Sequence, residues 1–116
     1  MKPMSHDDPA PSELIPGTLE MLVLQTLTLG PMHGYAIGQH ISRLSEEVLR
    51  VEQGSLYPAL ERLLDAGWVT AKWDQTPANR KARYYTITAA GRRRLGAEIT
   101  SFDRAMLAIN RVMRRA

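Results

Sequence analysis

Apolar residues recur every three or four positions in three separate stretches, then alternate, then return to helical spacing for a long final run. The first stretch, with Leu19, Leu22, Val23 and Leu27, predicts a helix with Gly17 or Thr18 as N-cap and the Gly30–Pro31 pair as its stop. The second, from about Gly34 to Leu44, puts Ile37, Ile41 and Leu44 on one face and turns Gln39, His40 and Arg43 mostly outward. In the third, Leu56, Leu60, Leu63 and Leu64 form a stripe that ends at Gly67. Pro58 falls inside this stretch, and a proline is best tolerated in a first turn, so the expected start is about Gly54 or Ser55.

After Gly67 the period changes to two. Val69, Ala71 and Trp73 alternate with Thr70 and Lys72, and Tyr85 and Ile87 repeat the pattern, which predicts two short strands joined by the loop "QTPANRK". Trp68 and Trp73 are expected to pack the wing and its base. Thr88 then caps a last helix, in which Leu95, Ile99, Phe102, Met106, Ile109 and Met113 recur at spacings of 4, 3, 4, 3 and 4. Such a heptad seam is wider than one small domain covers, so its natural partner is a second copy of the chain, the rival being that it folds onto the first helix. The order predicts a mainly α fold with a small β-hairpin: a winged helix-turn-helix with a long C-terminal dimerisation helix. The expected division is a loose tail over 1–13, a DNA-binding domain over 14–90 and a dimerisation helix over 91–116.

Composition narrows the chemistry. With 116 residues, 44% hydrophobic and 23% charged, the chain fits one globular domain. It has no cysteine, which removes disulfides, thiolate nucleophiles and Cys-bound metals. Neither a signal sequence nor a run of about 18 apolar residues is present, so the expected location is the cytoplasm, with no membrane partner. His33 and His40 fall on different elements without a carboxylate pair beside them, and no Gly-rich phosphate loop, Ser-His-Asp order or HExxH motif occurs; an enzyme, a metal site and a cofactor are not expected.

Charge points elsewhere. Residues 1–50 carry three basic and six acidic groups, a net −3, whereas residues 51–116 carry twelve and six, a net +6. A basic half of this kind suits a polyanion, although it is also what a solvated face looks like. At about 100° per residue, the third helix turns Gly54, Ser55, Pro58, Glu61 and Arg62 away from its core stripe, with Tyr57 and Ala59 at the edges. Its first turn is small and uncharged, which lets a backbone approach a duplex and its free N–H groups meet a phosphate. Gln53, Ser55 and Tyr57 add hydrogen-bonding groups, and Pro58 and Arg62 complete that face. Lys72, Arg80, Lys81 and Arg83 make the hairpin basic, with no carboxylate between Gln75 and Arg94 to balance them, which suits phosphate contact.

The segments "HGYAIGQHI", "VEQGSLYPALERLLDAGWV" and "NRKARYYTITAAGRRRL", in that order, resemble the PadR family of bacterial transcriptional regulators in its short form, over about residues 14–110. "GSLYPAL", Gly54 to Leu60, is the strongest part. The resemblance implies a winged-helix homodimer on double-stranded DNA, usually a repressor, joined through the C-terminal helix and in many members released by a small hydrophobic or aromatic, often phenolic, effector. A two-fold dimer implies a pseudo-palindromic operator with half-sites about one helical turn apart. Two departures stand out. Where many members have an acidic residue after "RL", this chain reads Arg62, Leu63, Leu64 and then Asp65; and the chain ends at Ala116, which implies no larger C-terminal domain and leaves the dimer interface or the core for any effector. The rival from another class is a winged-helix interaction module that does not bind DNA.

Overall fold

The computed structural model describes residues 17–114, so the expected tail over 1–13 lies outside the described residues. Seven elements follow in order: α1 (Thr18–Leu27), β1 (Met32–His33), α2 (Gly34–Leu44), α3 (Gln53–Asp65), β2 (Val69–Gln75), β3 (Lys81–Ile87) and α4 (Ala89–Met113). They form a winged helix: three helices packed together, a small antiparallel sheet in the order β1-β3-β2, and the long α4.

α1 is the hub, packing against α2, α3, α4 and β3. Its buried face runs through Leu19, Val23, Leu24 and Leu27; Leu22, expected in the stripe, is only half-buried. α2 has the predicted bounds and buries Ile37 and Ile41, but Leu44 is 73% exposed, because the last turn of α2 runs past the core edge. α3 contributes Leu56, Leu60 and Leu63, and also Ala59, which the helical wheel had placed at the exposed edge. Gly67, with φ 78°, ends α3 in a Schellman arrangement: the N–H of Gly67 donates to the Leu64 carbonyl and that of Trp68 to the Leu63 carbonyl, each at 3.0 Å.

The start of α3 differs from the expectation. The Glu52 carbonyl already accepts from the N–H groups of Ser55 and Leu56, at 3.0 and 2.9 Å, so the helix begins at Gln53 and Pro58 is its sixth residue, in the second turn. A turn nucleated one to two residues early keeps the proline while giving up one hydrogen bond, that from position 58 to the Gly54 carbonyl.

Sheet register decides which wing residues share a face. Val69 pairs with Ile87, Ala71 with Tyr85, Trp73 with Arg83 and Gln75 with Lys81, all on the side that faces the helices. Lys72 pairs with Tyr84 on the other side, so the expected basic cluster is divided between the two faces of the hairpin. Trp73 is on the inner side but beyond the core's edge, 63% exposed, and does not pack the wing as expected. The strand β1, two residues long and paired through Met32 with Tyr85 and His33 with Tyr84, gave no alternation to read. His33, from which no metal site was expected, is the N-cap of α2, its Nδ1 accepting the Ala36 N–H at 3.3 Å.

α4 starts as predicted, Thr88 Oγ1 accepting the Gly91 N–H at 3.0 Å and donating to the Gly67 carbonyl at 2.8 Å. Gly91 is so close to the chain of Trp68 that a Cβ there would collide with the Trp68 carbonyl. Leu95 is buried in the protomer's own core, so the exposed part of the expected seam begins at Ile99.

Gly91→Ala is expected to lower stability by about 1–3 kcal/mol through overpacking. Gly96→Ala, in the same helix but facing open space, should instead gain roughly 0.5–1 kcal/mol from helix propensity. Urea denaturation that ranks the two in the opposite order would refute this placement of α4.

Candidate nucleic-acid interface

Burial of one stripe of α3 leaves the other free: Gln53, Gly54, Ser55, Tyr57, Pro58, Glu61 and Arg62 are all exposed. The N-cap Glu52 makes no side-chain bond to the helix, which leaves the first-turn amides of α3 without a capping carboxylate. The two edges of this face have different neighbours. Arg62 lies towards α1 and donates from Nε and Nη2 to both carboxylate oxygens of Glu20, at 3.2 and 3.4 Å. That pair raises the already high pKa of Arg62 and holds the side chain at the α1 edge, away from the centre of the face where helical geometry alone had put it.

Tyr57 and Glu61 lie on the edge towards the wing. The Tyr57 ring rests over Gly34 at the start of α2, where an added Cβ would come within 2.8 Å of it. Glu61 accepts from Arg83 Nη1 at 3.1 Å, tying α3 to β3. The wing arginine with no acidic neighbour in sequence therefore finds one across the fold. Arg83 also reaches over the ring of Tyr85, its guanidinium carbon 5.8 Å from the centroid. Tyr85 is buried, and this desolvation pushes its phenol above the usual range; Arg83 opposes the shift, and Glu61 and Tyr57 add to it.

Beyond this floor the wing rises as a compact tip. Thr76 closes it, its N–H donating to the Arg80 carbonyl at 2.7 Å and its Oγ1 accepting the Arg80 N–H at 3.2 Å, while Asn79 takes a left-handed conformation with φ 63°. Arg80 and Lys81 project from it, exposed and, among the described residues, without an ion-pair partner; Lys72 is exposed on the outer face. Between α3 and the wing lies an open groove of about 800 Å³, with Tyr35, Tyr57, Trp73, Arg80, Lys81 and Arg83 in its walls. Of the expected contacts the groove brings together Tyr57, Arg80, Lys81 and Arg83; Gln53, Ser55 and Pro58 are exposed on α3 outside its walls, and Lys72 and Arg62 lie apart from it.

Sequence reasoning missed Tyr35, 62% exposed at the start of α2. It placed Trp73 on the side of Val69 and Ala71, where the register pairs it with Arg83, but expected it to pack rather than to line the groove. Among the described residues, no group of His, Asp and Glu is placed to hold a metal ion, and no helix is long and apolar enough to cross a membrane.

Residues 23–97 match the sequence model of the transcriptional regulator PadR-like family. An uncharacterised 37.1 kDa transposon protein of Streptomyces fradiae is 41% identical over 87 residues, covering 73% of this chain and 23% of that longer protein. Among solved structures, a transcriptional regulator from Clostridium thermocellum superimposes with a TM-score of 0.78 at 22% identity, over 84% of this chain and 95% of that one. A PadR family transcriptional regulator from Eggerthella lenta does so with 0.72 at 28% identity, over 86% and 85%.

Because its folded-state pKa is raised, the Tyr85 phenol favours the fold most fully below the unfolded tyrosine pKa of about 10. That contribution is lost as pH rises through the higher folded value. A near-ultraviolet absorbance titration of the four tyrosines should show one ionising last, and Tyr85→Phe should remove that step; a single shared transition would contradict it.

Proposed function

The chain belongs to the PadR-like family of transcriptional regulators, and on that premise we propose that it is a homodimeric, sequence-specific DNA-binding repressor. The observation that carries the reading is the groove between α3 and the wing, where Tyr57 of α3 and the wing cations Arg80 and Lys81, without an ion-pair partner among the described residues, line one concavity. A phosphate backbone is the partner that fits cations and a hydrogen-bonding ring facing the same space. In this reading α3 enters the major groove with Gln53, Ser55, Tyr57 and Pro58 forward, and Arg80 and Lys81 neutralise phosphates at its flank. Arg83, held by Glu61, sets the angle of the wing to the helix. Lys72 reaches the backbone from the outer face of the hairpin, and Arg62 from the α1 edge.

Two copies meet through α4. Ile99, Ile109 and Met113 are 38, 49 and 69% exposed, with Phe102 and Met106 half-buried between them. Ala105, Ala108 and Val112 widen the same arc, and Val112 is 83% exposed. An apolar face of that width on a helix roughly 37 Å long suits a second chain. The division into a DNA-binding domain over 14–90 and a dimerisation helix over 91–116 follows from this reading, with the first turns of α4, through Gly91 and Leu95, rooted in the winged domain. A two-fold dimer would address a pseudo-palindromic operator. The joined α4 faces give a small hydrophobic or aromatic effector a place to act on the spacing of the two recognition helices.

Affinity for DNA should fall steeply between about 50 and 200 mM salt, with a slope near −0.9 per phosphate neutralised. Replacing Arg80 and Lys81 together by Ala should flatten that slope by about two while weakening all sequences alike. Salt-independent binding, or none, would instead favour an interaction module without a DNA partner.

Met106→Glu would bury a charge in the seam and should yield monomers by light scattering. An intact dimer would place the interface elsewhere.

A further inference from the structure

Trp73 is the least explained large side chain of the wing. It is 63% exposed, while the chain's other tryptophan, Trp68, is half-buried beneath the Arg94 guanidinium, 4.6 Å from its ring centroid. Register puts Trp73 on the inner face of the hairpin opposite Arg83, but the core stops at Ala71 and Tyr85, one step short of it. Its ring therefore faces the groove, with Tyr57 on the opposite wall and Arg80 and Arg83 beside it. An indole left in water there forgoes the burial that usually places tryptophan.

The chemistry of the walls identifies the occupant. Cations and aromatic rings line the same groove, and a sugar-phosphate strand offers anionic phosphates to the one and apolar deoxyribose faces to the other. We propose that the groove between α3 and the wing seats the backbone of one DNA strand, with the indole of Trp73 packed on a deoxyribose and Arg80 and Lys81 on the flanking phosphates. This rests on the DNA-binding reading and deepens it, because it makes Trp73 a positioning residue for the duplex. A deoxyribose is the same in every nucleotide and the indole carries no charge. The contact therefore contributes to affinity without selecting sequence and without releasing counterions. That combination separates it from the wing cations, which set the salt slope, and from Ser55 and Tyr57, which face the bases.

The test uses the full chain with a duplex of about two helical turns, once from the region upstream of its own gene and once of shuffled sequence. In Trp68→Phe, Trp73 is the remaining tryptophan, and its emission should be quenched and shifted to the blue as either duplex saturates the protein. Trp73→Ala should weaken both duplexes by roughly tenfold or more with the salt slope unchanged, and Trp73→Phe should recover part of the loss. Matching thermal melts and light scattering of the variants confirm that fold and assembly are retained. Silent emission on saturation, unchanged affinity of Trp73→Ala, a loss confined to one sequence, or dissociation of the assembly each overturns the proposal while leaving DNA binding in place. Failure of the unaltered protein to bind either duplex overturns the DNA reading and this contact together.

Discussion

One backbone carbonyl, that of Trp68, sets the relative directions of α3, the wing and α4. Gly67 ends α3 in the left-handed region, which turns the chain into β2 and leaves the Trp68 oxygen facing the end of β3. There it accepts the N–H of Thr88 at 3.0 Å. Thr88 in turn caps α4 and donates to Gly67, so the last turn of one helix and the first turn of the next share a junction of three residues. Gly91 has to lack a side chain for the two to approach so closely. A small domain with only three short strands has little else to hold its wing, and this junction supplies rigidity at the base while Glu61 and Arg83 supply it further up.

The ion pairs divide the basic residues into two groups. Arg62 is held by Glu20, Arg83 by Glu61 and Arg94 by Glu98. These pairs are exposed to water, where such contacts contribute little to stability; what they do is fix side-chain direction. Each arginine so held lies on a helix or, for Arg83, on β3 below the wing tip, while Arg80 and Lys81, at the tip, have no such partner among the described residues and keep their full charge for a ligand. A net positive sequence half says nothing of this division, because an ion pair between residues 62 and 20 is 42 positions long in the chain and invisible to any local pattern.

Legibility in the sequence followed the length of the pattern. The helical repeat of α2 and the start of α4 at Thr88 were readable because several turns of spacing and a capping residue agreed. The two residues of β1 carry no periodicity at all; that strand exists only because β3 has a free edge for Met32 and His33 to join. Lys72 and Trp73 were placed on opposite sides by their alternation, as the register has them; what spacing did not report is that the core stops short of Trp73. Leu44 fits the apolar spacing of its helix and is nevertheless exposed, since spacing reports the direction of a side chain and not whether the core extends that far. The basic tip was legible because charge on a hairpin loop needs no tertiary partner to be seen.

Pro58 shows how the same residue type leads to different conclusions at the two levels. From sequence it marked a helix boundary, on the ground that a proline inside a helix costs about 3 kcal/mol. In the structure it sits in the second turn, exposed, with Gly54 one turn before it also exposed and facing open space. The missing N–H leaves the Gly54 carbonyl without its usual helical donor, on the outer face of α3, where water can satisfy it. The proline is thus accommodated because the face is solvent-exposed. Gly54 and Pro58 together leave this edge of α3 as little more than backbone and a ring, low enough to approach another surface closely.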